Sequence, residues 1–143
     1  MLDLYLRGKE ELKKQNMKIE VSNGEILDKL NILYLKAAFI SDKDKLVNIR
    51  KEIEELRPIS QDLFLKYGEE LRKLYTQLCE CNKELWKIED DIRQCEKDKD
   101  FSETFVALAR AVYITNDRRS DYKKKINILT KSGLVEEKSH DGI

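Results

Sequence analysis

One long run of regularly spaced apolar residues, here the apolar seam, restricts this chain to a helical fold more than any other feature does. The spacing alternates between three and four residues from residue 64 to residue 95. Such spacing places every member on one side of an α-helix. At about 1.5 Å of rise per residue, the helix predicted over residues 60–97 is roughly 50 Å long. The seam consists of Phe64, Tyr67, Leu71, Leu74, Leu78, Cys81, Leu85, Ile88, Ile92 and Cys95.

A second long helix is predicted to return along the first. A polar turn at residues 97–100 separates the two, Ser102 is the predicted N-cap of the return helix, and Gly133 is its predicted end. The helix over residues 102–132 therefore forms an antiparallel hairpin with the first. Its apolar pattern comprises Phe101, Phe105, Leu108, Val112, Tyr122, Ile126 and Leu129.

The apolar pattern of the return helix is interrupted between Val112 and Tyr122. Thr115 and Arg119 occupy the two positions where apolar residues are expected. Because the pattern resumes in phase at Tyr122, we expect the helix to run through this stretch. It then presents a polar layer to residues 78–82 of the first long helix.

The hairpin also predicts individual contacts. Pairing residues outward from the turn places Ile126 opposite Leu71. The same pairing places Asn116 opposite Asn82. These two pairs test the register of the hairpin.

Two shorter helices precede the hairpin. Ser22, followed three residues later by Glu25, is a capping box, so the first helix is predicted over residues 23–40. The second is predicted over residues 43–57 and ends at Pro58, which lacks the N–H that would continue the helix. These helices brace the hairpin in an all-α fold.

The two ends of the chain differ from this helical region. Residues 1–16 are predicted to be an N-terminal extension, at most a frayed helix, because a coherent pattern opens only at Met17. Residues 17–143 then form a single helical domain. Polar and apolar residues alternate over residues 18–21, which predicts a tiny two-stranded ribbon with residues 134–137.

The charge balance and the cysteines exclude several classes of function. The chain has 28 Lys and Arg residues against 28 Asp and Glu residues, so no net field draws it to nucleic acid or to a membrane surface. No stretch approaches the ~20 apolar residues that span a bilayer, so we expect a soluble cytoplasmic protein. The three cysteines lack the spacing of a zinc site, so no metal ligands are predicted.

Familiar enzymatic motifs are missing from the sequence. It contains no glycine-rich phosphate loop and no nucleophile elbow, and its single histidine, His140, lies in the polar tail. A Glu-x-x-Glu segment begins at Glu52, but the Glu-x-x-Asp segment at Glu25 precedes it, which is the reverse of the order in helical nucleotide pyrophosphohydrolases. The sequence thus favours a protein without enzymatic activity and predicts no catalytic residue and no cofactor.

Two charge-dense helical stretches hold the residues from which a ligand site is predicted. Folding the hairpin brings Glu89 within about one helical turn of Arg110. One interpretation is a cluster that binds a nucleotide or another anionic metabolite, with Mg²⁺ as its cofactor. The other is that these charges only pair across the helices. The candidate ligand-binding residues are Glu89, Asp90, Arg93, Arg110, Asn116, Arg118 and Arg119.

From Met17 onward the chain resembles a mostly bacterial and phage family, domain of unknown function 6165. The segments that carry the resemblance are residues 22–30, 45–48, 85–93, 108–113, 116–119 and 135–139. Members of this family are similar to proteins encoded near glycosyltransferase and surface-polysaccharide genes. The resemblance implies no particular activity.

Two functions are consistent with these patterns. The first is a non-enzymatic interaction or assembly module that forms a homodimer or binds partner helices, because the two short helices cannot cover the whole apolar seam. The second is an enzyme or a binder of a nucleotide or another anionic metabolite, acting through the charged cluster.

Overall fold

The computed structural model describes residues 16–134 and residue 137, and within them the chain forms three α-helices and no β-strand. Helix α1 spans Asn23–Phe39, α2 spans Lys43–Asp98 and α3 spans Glu103–Leu129. The predicted all-α class is confirmed. Judged by length and hydropathy, none of these three helices could cross a membrane.

The predicted two-stranded ribbon does not form. Residues 18–21 are exposed and belong to no strand, and Ile19 keeps 83% of its surface exposed. Two strands alone are marginal in water unless one face packs on other elements, and this segment has no such packed face. Residues 135 and 136 of the other half lie outside the described residues, as do residues 1–15 of the extension predicted over residues 1–16.

Helix α1 begins where the capping box predicts, against the end of α3. The Ser22 hydroxyl oxygen accepts a hydrogen bond from the Glu25 main-chain N–H at 3.2 Å, which satisfies one free amide of the first turn. The Gly24 N–H donates to Asn127 Oδ1 at 2.6 Å. A Cβ atom at Gly24 would lie 2.5 Å from the main-chain oxygen of Lys123. The close approach of α1 to α3 therefore requires glycine at this position.

Helix α2 continues through Pro58, so the predicted helix end at that residue is wrong. The Ser60 hydroxyl, at the start of the helix predicted over residues 60–97, donates instead to the Arg57 carbonyl of the same helix at 2.8 Å. A proline removes one main-chain hydrogen bond from a helix, and the buried side chains of Ile53 and Ser60 stabilise α2 on both sides of it. The break lies further along, at Gly68, where φ is 57° and ψ is −136°. Glycine adopts this backbone conformation without the strain that other residues incur.

The first half of α2 runs antiparallel to α1. Only residues 40–42 separate the two helices, which is typical of an antiparallel helical pair. Lys29 of α1 accordingly pairs with Glu52 of α2 at 3.5 Å. This pair corresponds to the two short helices predicted from the sequence.

The second half of α2 runs in the opposite direction along α1. Asp28 accepts a hydrogen bond from Asn82, and Phe39, further along α1, stacks on Trp86, further along α2. A straight helix of 56 residues would be about 84 Å long and could not pass α1 in both directions. The chain therefore turns back at Gly68, and the second half forms the long hairpin with α3.

Two apolar clusters form the core, and α1 contributes to both. The first cluster joins α1 to the hairpin and contains the buried residues Leu27, Leu71, Leu78 and Ile126. The second joins α1 to the first half of α2 and contains the buried residues Leu30, Leu33, Ile49 and Ile53. The predicted pairing of Ile126 with Leu71 is confirmed, since both belong to the first cluster.

The hairpin turn agrees with the sequence prediction, whereas the end of α3 differs from it. Lys99 takes a left-handed conformation (φ 53°) that ends α2, and Ser102 occupies the predicted N-cap position without a side-chain cap hydrogen bond. Helix α3 ends at Leu129, earlier than predicted, and Lys131 (φ 52°) takes the left-handed conformation that the sequence assigns to Gly133. The helix stops early because side chains just beyond it bond to the first residue of α1.

Beyond the end of α1 the hairpin continues as a distal arm, defined as residues 88–98 of α2 and 103–112 of α3. Among these residues, all of which the structure describes, Cys95 is the only buried one. The half-buried apolar residues of the arm are Ile88, Ile92, Phe105, Leu108, Ala111 and Val112. Within the described part of the chain, the arm is thus a pair of helices that no third helix covers.

Candidate functional site

Arg119 of the predicted polar layer is bound to a buried carboxylate of α1. Asp28 is 1% exposed, and its two oxygens accept hydrogen bonds from Arg119 Nε, at 3.0 Å, and from Arg119 Nη2. Two parallel bonds of this kind fix both the position and the orientation of a guanidinium group. The hydrogen bonding to Asp28 raises the pKa of Arg119 above its already high ordinary value. Arg119 is therefore a permanent cation whose charge Asp28 balances.

Asn82 of α2 completes a buried polar network that spans all three helices. Its Nδ2 group donates to Asp28 Oδ1 at 2.9 Å and to Asn31 Oδ1 at 2.8 Å. A carboxylate paired with Arg119 only accepts hydrogen bonds, so the nitrogen of the Asn82 amide must face Asp28. The oxygen of that amide consequently faces away from the network.

The next turn of α3 adds a second cation to the network. Lys123 Nζ donates to Glu25 Oε2 at 2.6 Å and lies 3.9 Å from Asp28 Oδ2. Among the described residues, every fully buried side-chain nitrogen or oxygen atom has a hydrogen-bond partner. A satisfied network of this kind favours one arrangement of α1, α2 and α3 over others.

An open cavity of about 380 Å³ lies beside this network, within the range of roughly 300–1,000 Å³ that is usual for small-molecule sites. Its wall combines four apolar side chains with two amides, two carboxylates and two guanidinium groups. It is hereafter the Asn82 cavity. Its lining consists of Ile32, Leu35, Asn82, Leu85, Trp86, Glu89, Asp90, Arg93, Asn116 and Arg119.

The amide oxygen of Asn82 is directed into this cavity. Asn82 is only 4% exposed, yet it belongs to the cavity lining. Its Oδ1 atom accepts no hydrogen bond from the described residues, although none of their fully buried side-chain polar atoms lacks a partner. Oδ1 must therefore keep its remaining surface in the cavity. It is a fixed acceptor that is available to a ligand.

A second depression shares Trp86 with the Asn82 cavity. Phe39 stacks on Trp86 with ring centroids 5.3 Å apart and an interplanar angle of 25°. This Phe39 groove has a volume of about 530 Å³ and lies at the end of α1. Trp86 is thus held by an aromatic neighbour at the border of two depressions. Besides the two aromatic residues, the groove is lined by Glu80, Lys83, Glu84, Lys87 and Asp90.

The structure brings most of the residues predicted for a ligand site to one cavity. The Asn82 cavity is lined by Glu89, Asp90, Arg93, Asn116 and Arg119. Arg118 instead forms a pair with the exposed Glu84 at 2.9 Å, and Arg110 is exposed and lies outside the lining. Asn116 lines the same cavity as its predicted neighbour Asn82.

Sequence reasoning missed Asp28, the residue to which Arg119 is bound. Asp28 and Asn31 are three residues apart, which places them on one face of α1. Their neighbours in the sequence include the apolar residues Leu27, Leu30 and Leu33. A carboxylate and an amide among these leucines were the signal from which a buried polar site could have been predicted. A buried carboxylate requires a partner, and an arginine in the polar layer of α3 is the partner that the fold supplies.

The described residues contain no group of three or more His, Cys, Asp or Glu side chains able to bind a metal ion. Burial raises the pKa of the Cys79 thiol to about 11 and also raises the pKa of the neighbouring Tyr75 hydroxyl. Both groups are therefore protonated and uncharged at neutral pH. Cys79 is not an activated thiolate, which a cysteine nucleophile requires.

These features define a class of protein: a small all-α protein in which a buried ion pair lies beside an open, ligand-sized cavity. The chain belongs to the family of unknown function DUF6165, whose family model matches residues 17–142. The resemblance found in the sequence is thereby confirmed. No curated protein and no solved structure matches the chain.

Proposed function

We propose that this protein is a helical binding module that takes a small polar ligand into the Asn82 cavity. The observation that carries the proposal is the unbonded Oδ1 atom of the buried residue Asn82, which keeps its exposed surface in the cavity and can accept a hydrogen bond there. Small-molecule sites typically combine an apolar wall with a few fixed polar groups. The cavity has this combination, with Trp86 and leucines on its wall beside two asparagines.

The buried network supports binding because it positions the polar wall before a ligand arrives. Asp28 fixes both Asn82 and Arg119 through hydrogen bonds, so neither side chain has to be ordered on binding. A site that is ordered in advance loses less conformational entropy when the ligand binds. No lining residue carries an imidazole, a thiol or a hydroxyl group, so we propose binding without a chemical step.

Trp86 provides a direct test because it is the single tryptophan of the chain and lines the cavity. We expect some members of a fragment library of small polar compounds to change its fluorescence and to raise the melting temperature. Ligand binding to the native state must raise its stability. If no fragment at millimolar concentration does either, the proposed function is wrong.

A matched pair of variants links that response to the cavity. Asn116→Leu replaces a lining amide by a bulkier apolar group and is expected to abolish the fluorescence response. Asn48→Leu makes the same exchange at an exposed position of α2 outside the lining and is expected to leave it unchanged. Equal responses from both variants would place the bound fragment elsewhere.

A second function, self-association through the distal arm, is favoured by the exposure of its apolar residues. Val106 is 52% exposed, and Ile114, two residues past the arm, is 47% exposed. Exposed apolar surface on paired helices is typical of interaction sites. Sedimentation is expected to show a dimer at micromolar concentration that Val106→Glu with Ile114→Glu dissociates. Val47→Glu, at a similarly exposed position of α2, is the control, and a monomeric wild-type protein would contradict this second function.

A further inference from the structure

The arginines around the Asn82 cavity contribute less positive charge than their number suggests. Arg119 is balanced by Asp28 through two hydrogen bonds. Arg118 is paired with Glu84, and Arg110 is not part of the lining. The clustered arginines that favour an anionic ligand in the sequence are thus largely committed to the protein itself.

The carboxylates of the cavity, unlike its paired arginines, are available to a ligand. Glu89 and Asp90 line the cavity and form no ion pair within the described part of the chain. Arg93 is the one lining cation that likewise has no ion-pair partner there. Two uncommitted carboxylates against one uncommitted guanidinium leave the cavity with a net negative charge.

Asn82 and Trp86, the other ligand-facing groups of the cavity, also favour a positively charged ligand. The Oδ1 atom of Asn82 accepts hydrogen bonds and cannot donate, so it selects a ligand with an N–H or O–H group. Trp86 has an indole ring, the aromatic side chain to which cations bind best. Acceptor, carboxylates and aromatic ring all lie in one lining.

We infer that the ligand of the Asn82 cavity is a small cation with an ammonium group that donates hydrogen bonds to Asn82 Oδ1 and faces the carboxylates of Glu89 and Asp90. The inference rests on the proposed function and narrows it to one class of ligand. Arg93 at the same lining limits the site to ligands of low positive charge, since a polycation would bring additional charges near it.

Two sets of probes test this inference, and each set contains a cationic, a neutral and an anionic compound built on one ring. Glucosamine, glucose and glucuronate share a sugar ring, while phenethylamine, 2-phenylethanol and phenylacetate share a phenyl ring. Titration of each into the full chain, followed by Trp86 fluorescence, is expected to give tighter binding for the amine of at least one scaffold than for its neutral and anionic counterparts. The amine's affinity is also expected to fall as salt rises, since exposed charges are screened.

A double variant tests the role of the two carboxylates. Glu89→Gln with Asp90→Asn is expected to weaken binding of the preferred amine about three- to tenfold and to leave its neutral counterpart unchanged, since exposed ion pairs are individually weak. Glu55→Gln with Glu70→Gln removes the same charge from exposed positions of α2 outside the cavity and is the matched control, expected to change neither affinity.

The outcomes separate this inference from the proposed function. Tighter binding of the neutral or anionic probe would overturn the inference about ligand charge and would leave the Asn82 cavity as a binding site. An equal loss of affinity in the control variant would overturn the role of Glu89 and Asp90. If none of the six probes binds while other fragments do bind in the cavity, the ammonium class is wrong and the proposed function stands.

Discussion

The proximal half of the hairpin, residues 69–87 of α2 and 113–129 of α3, shares one apolar seam with the distal arm but differs from it in what surrounds the seam. In the proximal half, Leu71 and Leu78 are fully buried because α1 packs on both long helices. In the arm, Ile92 and Leu108 are only half-buried, because α1 ends at Phe39. The same spacing of apolar residues thus leads to a core in one region and to a partly exposed helix pair in the other.

The polar residues of the two regions differ in the same way. In the proximal half, Asp28 and Asn82 are buried and bonded to each other. At the border of the arm, Lys87 and Asp91 lie 3.8 Å apart, with the Lys87 side chain exposed and the Asp91 side chain about half exposed. The comparison indicates that polar side chains form a fixed network where α1 packs on the hairpin. The Asn82 cavity lies where this fixed region meets the arm.

The largest predicted loss of stability comes from removing the carboxylate partner of an arginine. Arg119 and Arg118 are neighbours, but the partner of Arg119 is buried and that of Arg118 is exposed. Asp28→Asn is expected to lower the free energy of unfolding by about 3–5 kcal/mol, because it leaves Arg119 without its balancing charge. Glu84→Gln removes the exposed partner of Arg118 and is expected to cost less than about 1 kcal/mol. Urea denaturation of both variants measures the difference. Equal effects would mean that the buried pair does not stabilise the proximal half.

A matched pair of leucine truncations compares the two regions directly. Leu78→Ala is expected to destabilise the protein by about 2–5 kcal/mol, because it opens a cavity in the first core cluster. Leu108→Ala in the arm is expected to cost about 1 kcal/mol, since this side chain is already half exposed. Thermal or urea unfolding provides both values. A larger loss for Leu108 would show that the arm is covered in solution.

The turn at Gly68 is expected to tolerate substitution less well than its surroundings suggest. A Cβ atom there would meet no neighbour within 4 Å, yet φ is 57°. Gly68→Ala should therefore cost about 1–3 kcal/mol through backbone strain alone. Gly133→Ala, where there is also free space and φ is not positive, should have almost no effect. Similar stabilities of the two variants would contradict the reversal of α2 at Gly68.

The smallest predicted effect concerns the thiol of Cys79. Its pKa is raised from 9.0 to about 11 by burial, so the unfolded state loses this proton first as pH rises. The contribution of Cys79 to stability is complete below pH 9 and is lost as pH rises through about 11. Iodoacetamide labelling, followed by peptide mass spectrometry, should give a midpoint near 11 for the native protein. A native midpoint equal to that in urea would contradict the burial of this thiol.

Much of the fold follows from local patterns in the sequence. The capping box at Ser22 marks the start of α1, and the phase of the seam predicts that α3 runs through residues 115–119. The spacing also pairs Ile126 with Leu71. These predictions succeed because helix caps and helical periodicity depend on residues close together in the chain.

The sequence predictions fail where contacts between residues far apart in the chain determine the structure. Pro58 is a helix breaker by local rules, but packing on α1 holds the helix through it, and the chain turns at Gly68 instead. The partner of Arg119 lies 91 residues away, at Asp28. Periodicity along one helix cannot show which face of another helix it will meet.

The location of the ligand in the Asn82 cavity is tested most directly by side-chain NMR spectra. The tightest-binding amine probe should shift the side-chain amide signals of Asn82 and Asn116 and the indole N–H signal of Trp86 most strongly. Signals from the part of the distal arm outside the cavity lining, such as those of Val106, should stay in place. The largest shifts at Val106 and Leu108, with Asn82 unchanged, would contradict the claim.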